Sequence, residues 1–344
     1  MDVTAAAARA DWLDRLYVRA PLPAWGVGVA FGVTVLVLVA VAAAWIGDPW
    51  RLVAGGRLLF NRDFRLGLTI TALAAYAPTA RHYLLHAAER NREALRVALG
   101  PSAEPALAAP ARWLPGWVAG IFVLAAPAIA LAIDRDPGLY FRAGYWSVGN
   151  AWSWSLGVFT AWCLGRNIVA TLGVSREFSA IAAALPEVDL LDRRWLAPFT
   201  RQALFSALLW LLVPALWSVN LIDASFLFVV PVAALVCAAV GTAALLLPTR
   251  GVRRRLADAK ERELAAVHAA LRGKDDALDS SLLAGRLERP TVADLVTWAG
   301  YVSALSTSPF TQATRLWFVL YLALPLGSWL GGALVDWLVE RLLA

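Results

Sequence analysis

Charged residues cluster along this chain, and between the clusters lie long runs free of Asp, Glu, Lys and Arg. Six such runs, 24–46, 114–133, 143–165, 202–222, 224–249 and 316–335, hold 20 to 26 residues each. A helix needs about 20 mainly apolar residues to cross bilayer hydrocarbon, where no water can satisfy an open backbone. Each run therefore predicts a membrane-spanning helix. A seventh run, 66–80, has only 15 residues. It reaches spanning length by taking in Arg81 and His82 and continuing to Leu85, with Arg81 snorkelling to an interface and Pro78 kinking the helix nearby. The uncharged stretch 295–314 is different, because Ser, Thr and Gln interrupt it. Val292, Leu295, Val296, Ala299 and Val302 recur at helical spacing there, which predicts an amphipathic helix on a surface or against a partner.

The expected fold is all-α: a polytopic transmembrane helical bundle with a cytoplasmic helical hairpin between the last two spans. Seven spans are favoured, at 24–46, 66–85, 114–133, 143–165, 202–222, 224–249 and within 313–344. The alternative is six, with 66–85 lying on or dipping into the membrane and the N-terminus outside. The 1–23 segment reads as an interfacial N-terminal helix with an apolar side of Trp12, Leu13, Leu16 and Tyr17. The hairpin occupies 250–312. Pro248 and Gly251 are expected to break the preceding span. A helix follows over about 252–271, with a stripe of Val252, Leu256, Ala259, Leu264, Val267 and Leu271. The tip falls at 273–281, with Lys274, Asp275 and Asp276 solvated, and the return helix runs near 291–305. A coiled-coil arm joining protomers is the other reading of the same stripe.

Orientation follows from Lys and Arg, which accumulate on the cytoplasmic side. With seven spans and the N-terminus inside, the inside segments carry 24 of them and the outside segments 7. The six-span alternative gives 25 and 6, so charge does not separate the two. With seven spans the C-terminus lies outside.

Composition agrees with a lipid-solvated chain. Of the 344 residues, 60% are hydrophobic and 16% charged, against about 25% charged in soluble domains. The net charge of +6 lies in loops beside apolar runs. This directs it to anionic headgroups, above all at Arg250, Arg253, Arg254 and Arg255, rather than to nucleic acid. Cys163 and Cys237 both fall in apolar runs and read as small buried hydrophobes.

Handles for chemistry are few. His82 and His86 are four apart with Glu89 three further on, a spacing that could share a metal, but no His-Glu-x-x-His motif accompanies them. Ser147 sits in a loose Gly-rich context without the nucleophile-elbow spacing. Tyr145, Trp146, Asn150, Trp152, Ser153, Trp154 and Ser155 make either a pocket mouth or an interfacial aromatic belt, and the belt is preferred. Gly28 with Gly32, and Gly327 with Gly331, put small residues four apart, which lets helices approach closely. No catalytic, cofactor-binding or metal residue is assigned.

Three stretches carry a resemblance: Val188-Asp-Leu-Leu-Asp192 with Leu196-Ala-Pro-Phe199; Leu247-Pro-x-Arg-Gly-Val252 with Arg254-Arg255; and Leu324-Pro-Leu-Gly-Ser-Trp329-Leu-Gly-Gly-Ala333. They resemble an uncharacterised family of bacterial multi-spanning inner-membrane proteins. The resemblance implies a bacterial inner membrane and no activity. The expected function is non-enzymatic, binding a partner or sensing through the cytoplasmic helical arm. An oligomeric channel or uncoupled transporter is the alternative.

Overall fold

The computed structural model describes residues 12–46, 62–108, 114–124, 127–129, 131, 137–142, 145–146, 148–185, 190–191, 194–222, 226, 228–284, 290–310 and 316. Regular structure among the described residues is entirely helical. The main helices are α1 (Trp12–Arg19), α2 (Ala24–Ile46), α3 (Arg62–Leu99), α4 (Trp117–Ile121), α5 (Val148–Ala184), α6 (Leu196–Trp217), α7 (Val229–Leu271) and α8 (Val292–Ala304). The expected span at 316–335 lies outside the described residues except for Leu316, as do Ser147 and the Gly327–Gly331 pair. Of the expected span at 114–133, the described part is α4 with a 3-10 turn at Phe122–Leu124 and a few residues beyond.

Four helices form a ring. α3 packs on α5 and α6, and α7 packs on the same two helices from the other side. α3 and α5 run parallel: Thr160 of α5 bonds to Ile70 of α3, and Asn167 bonds to Ala77. α6 runs against α3, so that Asn220 meets Thr69 at one end and Gln202 meets Asn91 at the other. α2 lies outside the ring against α3, where Gly28 packs so closely that a Cβ would meet the Thr79 hydroxyl and the Ala75 carbonyl. This glycine face thus packs within the chain. The window 66–85 lies wholly inside α3, and its Leu73, Ala74 and Ala77 are fully buried.

The charges that bound the apolar windows do not end the helices. α3, α5 and α7 have 38, 37 and 43 residues. At 1.5 Å per residue they are about 57, 56 and 65 Å long, roughly twice the ~30 Å of bilayer hydrocarbon. The expected break at Pro248 and Gly251 does not occur. Pro248 lacks the N–H that would bond Ala244 O, and the next residue adds a hydroxyl bond close by within the same helix: Thr249 donates to Leu246 O at 3.0 Å. Pro78 in α3 is treated alike, with Thr79 donating to Ala75 O at 2.8 Å. Intrahelical hydroxyl bonds of this kind let proline persist inside long helices. Gly251 serves packing. A Cβ there would strike the Ser179 carbonyl of α5 and crowd Ala182.

The two ends of the ring have opposite outer surfaces. Along the apolar windows, large hydrophobic side chains face outward: Val29, Val37 and Leu38 on α2, Leu212 on α6, and Val232, Leu235 and Leu246 on α7. Trp45 is 90% exposed. Beyond Arg81, Arg166 and Arg250 most large hydrophobic residues of α3, α5 and α7 turn inward, with Val97 and Leu271 left exposed. Leu95 of α3, Phe178 and Ile181 of α5, Phe199 of α6, Val252 and Leu256 of α7 and Val302 of α8 make one core there. Phe178 and Phe199 meet edge-to-face at 5.9 Å, a favourable aromatic geometry. α2, α5, α6 and α7 are each long and apolar enough to cross a membrane.

The stripe on the last third of α7 differs from expectation. Val252, Leu256, Ala259, Glu263, Val267 and Ala270 are buried, whereas Leu271 is exposed. Among the described residues the stripe packs inside this chain, against α5 and α8. Gly273, at φ +86°, turns the chain out of α7 in the left-handed region that glycine accepts without strain. α8 then lies on α7 through Leu295 and Val302, while Val292 and Val296 of its expected stripe are exposed. Thr291 and Asp294 form a reciprocal capping box at its start. Lys260 closes its other end, donating to the carbonyls of Ser303 and Leu305.

Candidate functional site

Three groups of polar side chains are built into the described helices. The first is a seam along the α3–α5–α6 interface. Thr69, Thr71, Thr160, Asn167, Thr171, Ser175, Gln202, Ser206 and Asn220 are all buried. The spacing places most of them: 160, 167, 171 and 175 fall on one face of α5, and 202, 206 and 210 on one face of α6, while Asn220 sits in the 3-10 segment Ser218–Ile222 that follows α6. Bonds cross between helices from Asn220 Nδ2 to Thr69 Oγ1 (3.0 Å), Trp210 Nε1 to Thr171 Oγ1 (3.0 Å), Asn167 Nδ2 to Ala77 O (2.8 Å) and Asn91 Nδ2 to Gln202 Oε1 (2.9 Å). Asn167 Oδ1, Asn220 Oδ1 and Ser175 Oγ find no hydrogen-bond partner among the described residues. Beside Asn167 is a cleft lined by Tyr76, Arg81, Thr171 and Trp210, with room for about one water molecule.

The second group sits where the apolar windows of α3 and α5 end. Asp14 of α1 faces Arg81 and Arg166, and all three side chains are about nine-tenths buried. Arg81 Nε lies 3.2 and 3.4 Å from the two carboxylate oxygens, and Arg166 Nη2 lies 3.8 Å away. Arg81 Nη1 also donates to Arg166 O at 3.3 Å, and the Arg166 guanidinium lies 4.7 Å over the Trp162 ring. The apolar-side reading of α1 is corrected by this group. Leu13 and Tyr17 are buried as expected, but Asp14 joins them and Trp12 and Leu16 face outward. Tyr17 bonds Thr79 at 3.0 Å and stacks on His82.

The third group is Glu263, buried near the end of α7. Oε1 accepts from Ser281 Oγ (2.6 Å) and Trp298 Nε1 (2.8 Å), and Oε2 accepts from the Leu282 amide (3.0 Å). One carboxylate thus ties α7 to the segment after its turn and to α8. Between the second and third groups, Arg92 of α3 pairs with Glu177 of α5.

The residues singled out from the sequence fare unevenly. His82 and His86 lie with ring centroids 4.1 Å apart and planes tilted by 32°, while Glu89 is exposed, and among the described residues no three His, Cys, Asp or Glu converge as a metal site. Arg250, Arg253 and Arg254 are exposed. Arg255 donates to Ala183 O, with Nε at 2.9 Å, and caps the end of α5. The aromatic patch is internally tied, with Trp154 Nε1 bonding Tyr145 Oη and Trp146 Nε1 bonding Tyr140 O. Cys163 and Cys237 are buried free thiols.

Asp14 and Glu263 escaped the sequence reading. A signal for Glu263 existed: position 263 continues the 252, 256, 259 spacing, so a charge there falls on a buried face. No family model, curated protein or solved structure matches the chain.

Proposed function

We propose that this chain is an integral inner-membrane protein of seven spans, with the N-terminus cytoplasmic and the C-terminus outside. Its task is non-enzymatic: it binds a protein partner, or senses, through the helical layer built from the ends of α3, α5 and α7 together with α8. The observation that carries this reading is the continuity of those helices. Each runs about twice the thickness a span requires, and the extra length is folded around its own apolar core. A chain that needed only to cross the bilayer would gain nothing from it. The positive-inside bias puts this layer in the cytoplasm, at the level of the exposed Arg250, Arg253 and Arg254. Those three side chains are suited to anionic headgroups.

The test combines topology with contact. A photo-crosslinking residue at Val296, exposed on α8, should give a discrete protein adduct in cells, and one at Leu38 on α2 should give lipid. A reporter at Gly273 should read cytoplasmic. Lipid adducts at both sites, or an extracytoplasmic Gly273, would refute the assignment.

The seam favours a second reading, an oligomeric channel or uncoupled transporter. Its three unmatched acceptor atoms suit a file of water along α3, α5 and α6. Flux through proteoliposomes that falls with Asn167→Leu and Thr171→Val would select it.

A further inference from the structure

The group at Asp14, Arg81 and Arg166 has no part in the partner-binding reading, and its geometry points to a ligand. We propose that the Arg81–Arg166 pair is a binding seat for a phosphate oxyanion, that of an anionic lipid headgroup or free phosphate. Asp14 is its built-in competitor, so α1 is a latch that the anion releases. The proposal rests on the membrane placement above but not on any protein partner.

Four observations carry it. The seat is held without Asp14: Arg81 is fixed by its bond to Arg166 O, and Arg166 lies over Trp162. It therefore outlasts the departure of α1. Two guanidiniums converge on one carboxylate, and the second reaches it only at 3.8 Å. A tetrahedral phosphate presents more oxygens over a wider span, and two guanidinium forks match it better than they match one carboxylate. The depth is also right. Arg81 and Arg166 are the first charges after the uncharged windows of two helices in register, which is where headgroup phosphates lie.

The latch, finally, is slight. α1 has eight residues, too few to be stable alone, and is joined to α2 by a linker containing Pro21 and Pro23. Leu13, Tyr17 and the carboxylate are among the contacts that hold it. Its outer side carries Trp12, Arg15, Leu16 and Arg19, all exposed, a composition suited to lying on an anionic surface once released.

The experiment uses the full chain with Cys163→Ala and Cys237→Ala, spin-labelled at Leu16→Cys on α1 and Glu89→Cys on α3, both exposed. Distances are compared in phosphatidylcholine nanodiscs, in phosphatidylglycerol nanodiscs, and in phosphatidylcholine with added inorganic phosphate. One short distance is expected in phosphatidylcholine, and a second, longer population with phosphatidylglycerol. The same shift with inorganic phosphate alone would support the seat and identify free phosphate as the ligand. No shift in either arm would overturn the proposal.

Lipid retention in native mass spectrometry gives an independent sign. Asp14→Asn should raise bound phosphatidylglycerol about tenfold, the effect of removing a competitor worth one charge-assisted contact. Arg166→Gln should lower it. If Asp14 only fastens α1, its loss leaves retention unchanged, and that result would refute the competition. Retention of the chain in carbonate-washed membranes is scored separately, so a failure of membrane placement is not confused with a failure of the seat.

Discussion

Replacing Glu263 with alanine should loosen α8 from α7 without unfolding the ring. The carboxylate receives three donors, from Ser281, Leu282 and Trp298, at 2.6 to 3.0 Å. Hydrogen bonds to a charged acceptor contribute about 1.5–3 kcal/mol each, and their deletions are not additive. Ser281 can turn its hydroxyl elsewhere, and Trp298 is only partly buried, so the net loss is about that of two such bonds at their low end. A local cost of about 3 kcal/mol corresponds to roughly a hundredfold increase in the opening equilibrium. Amide exchange measured on the protein in detergent or nanodiscs reads this directly. Protection across α8 and at Leu282 should fall about a hundredfold, while the amides around Leu73 and Ala77 stay as they were. Glu263→Gln keeps one carbonyl acceptor but turns an NH2 toward a donor, so about a tenfold fall is expected. Wild-type protection of α8 in the alanine variant would show that packing of Leu295 and Val302 alone holds the helix, and the reasoning would fail.

Further outcomes follow from the same geometry. Gly251→Ala should lower the melting temperature by the equivalent of about 1–3 kcal/mol, since the new methyl must push α5 from α7; Gly300→Ala, open on all sides, should be neutral or slightly stabilising. Phe199→Ala empties the centre of the far core and should cost about 3–5 kcal/mol in detergent unfolding. Asp294 is held below the usual carboxylate range by hydrogen bonds from Thr291, side chain first and then backbone. Its folded pKa lies below its unfolded one, so its contribution is complete above the unfolded value of about 3.9 and is lost as pH falls through the folded value. Helicity of α8 should therefore drop in acid below that range, and Asp294→Asn should flatten the profile. Arg255→Ala should fray the last turn of α5, seen as faster exchange of the final amides before Ala184.

Long apolar windows and helical spacing made the all-helical architecture legible, because hydrocarbon permits little else. The helix ends were not, and the reason is physical. A charge marks where lipid stops, but a helix continues into water if another core receives it, as Leu95, Phe178 and Val252 do here. Proline and glycine misled at 248 and 251, since packing on α5 and α6 carries α7 through both positions and Gly251 answers to the neighbouring Ser179 carbonyl. Window scanning, by discarding charges, also hid the groups of most interest. Asp14 falls outside the apolar side read for α1, and the stripe read on α7 takes Leu264 rather than Glu263. Both are buried because donors on distant helices, Arg81 and Trp298, are brought to them by tertiary packing.

The unbroken course of α7 from Val229 to Leu271 has a mechanical corollary. A stiff rod about 65 Å long converts rotation into displacement: tilting one tip by about 5° about the other shifts it sideways by about 5 Å. On the membrane placement proposed above, thinning of the bilayer that tilts the rod by this amount would move Glu263, about 51 Å from its start, by about 4 Å, together with everything fastened to it.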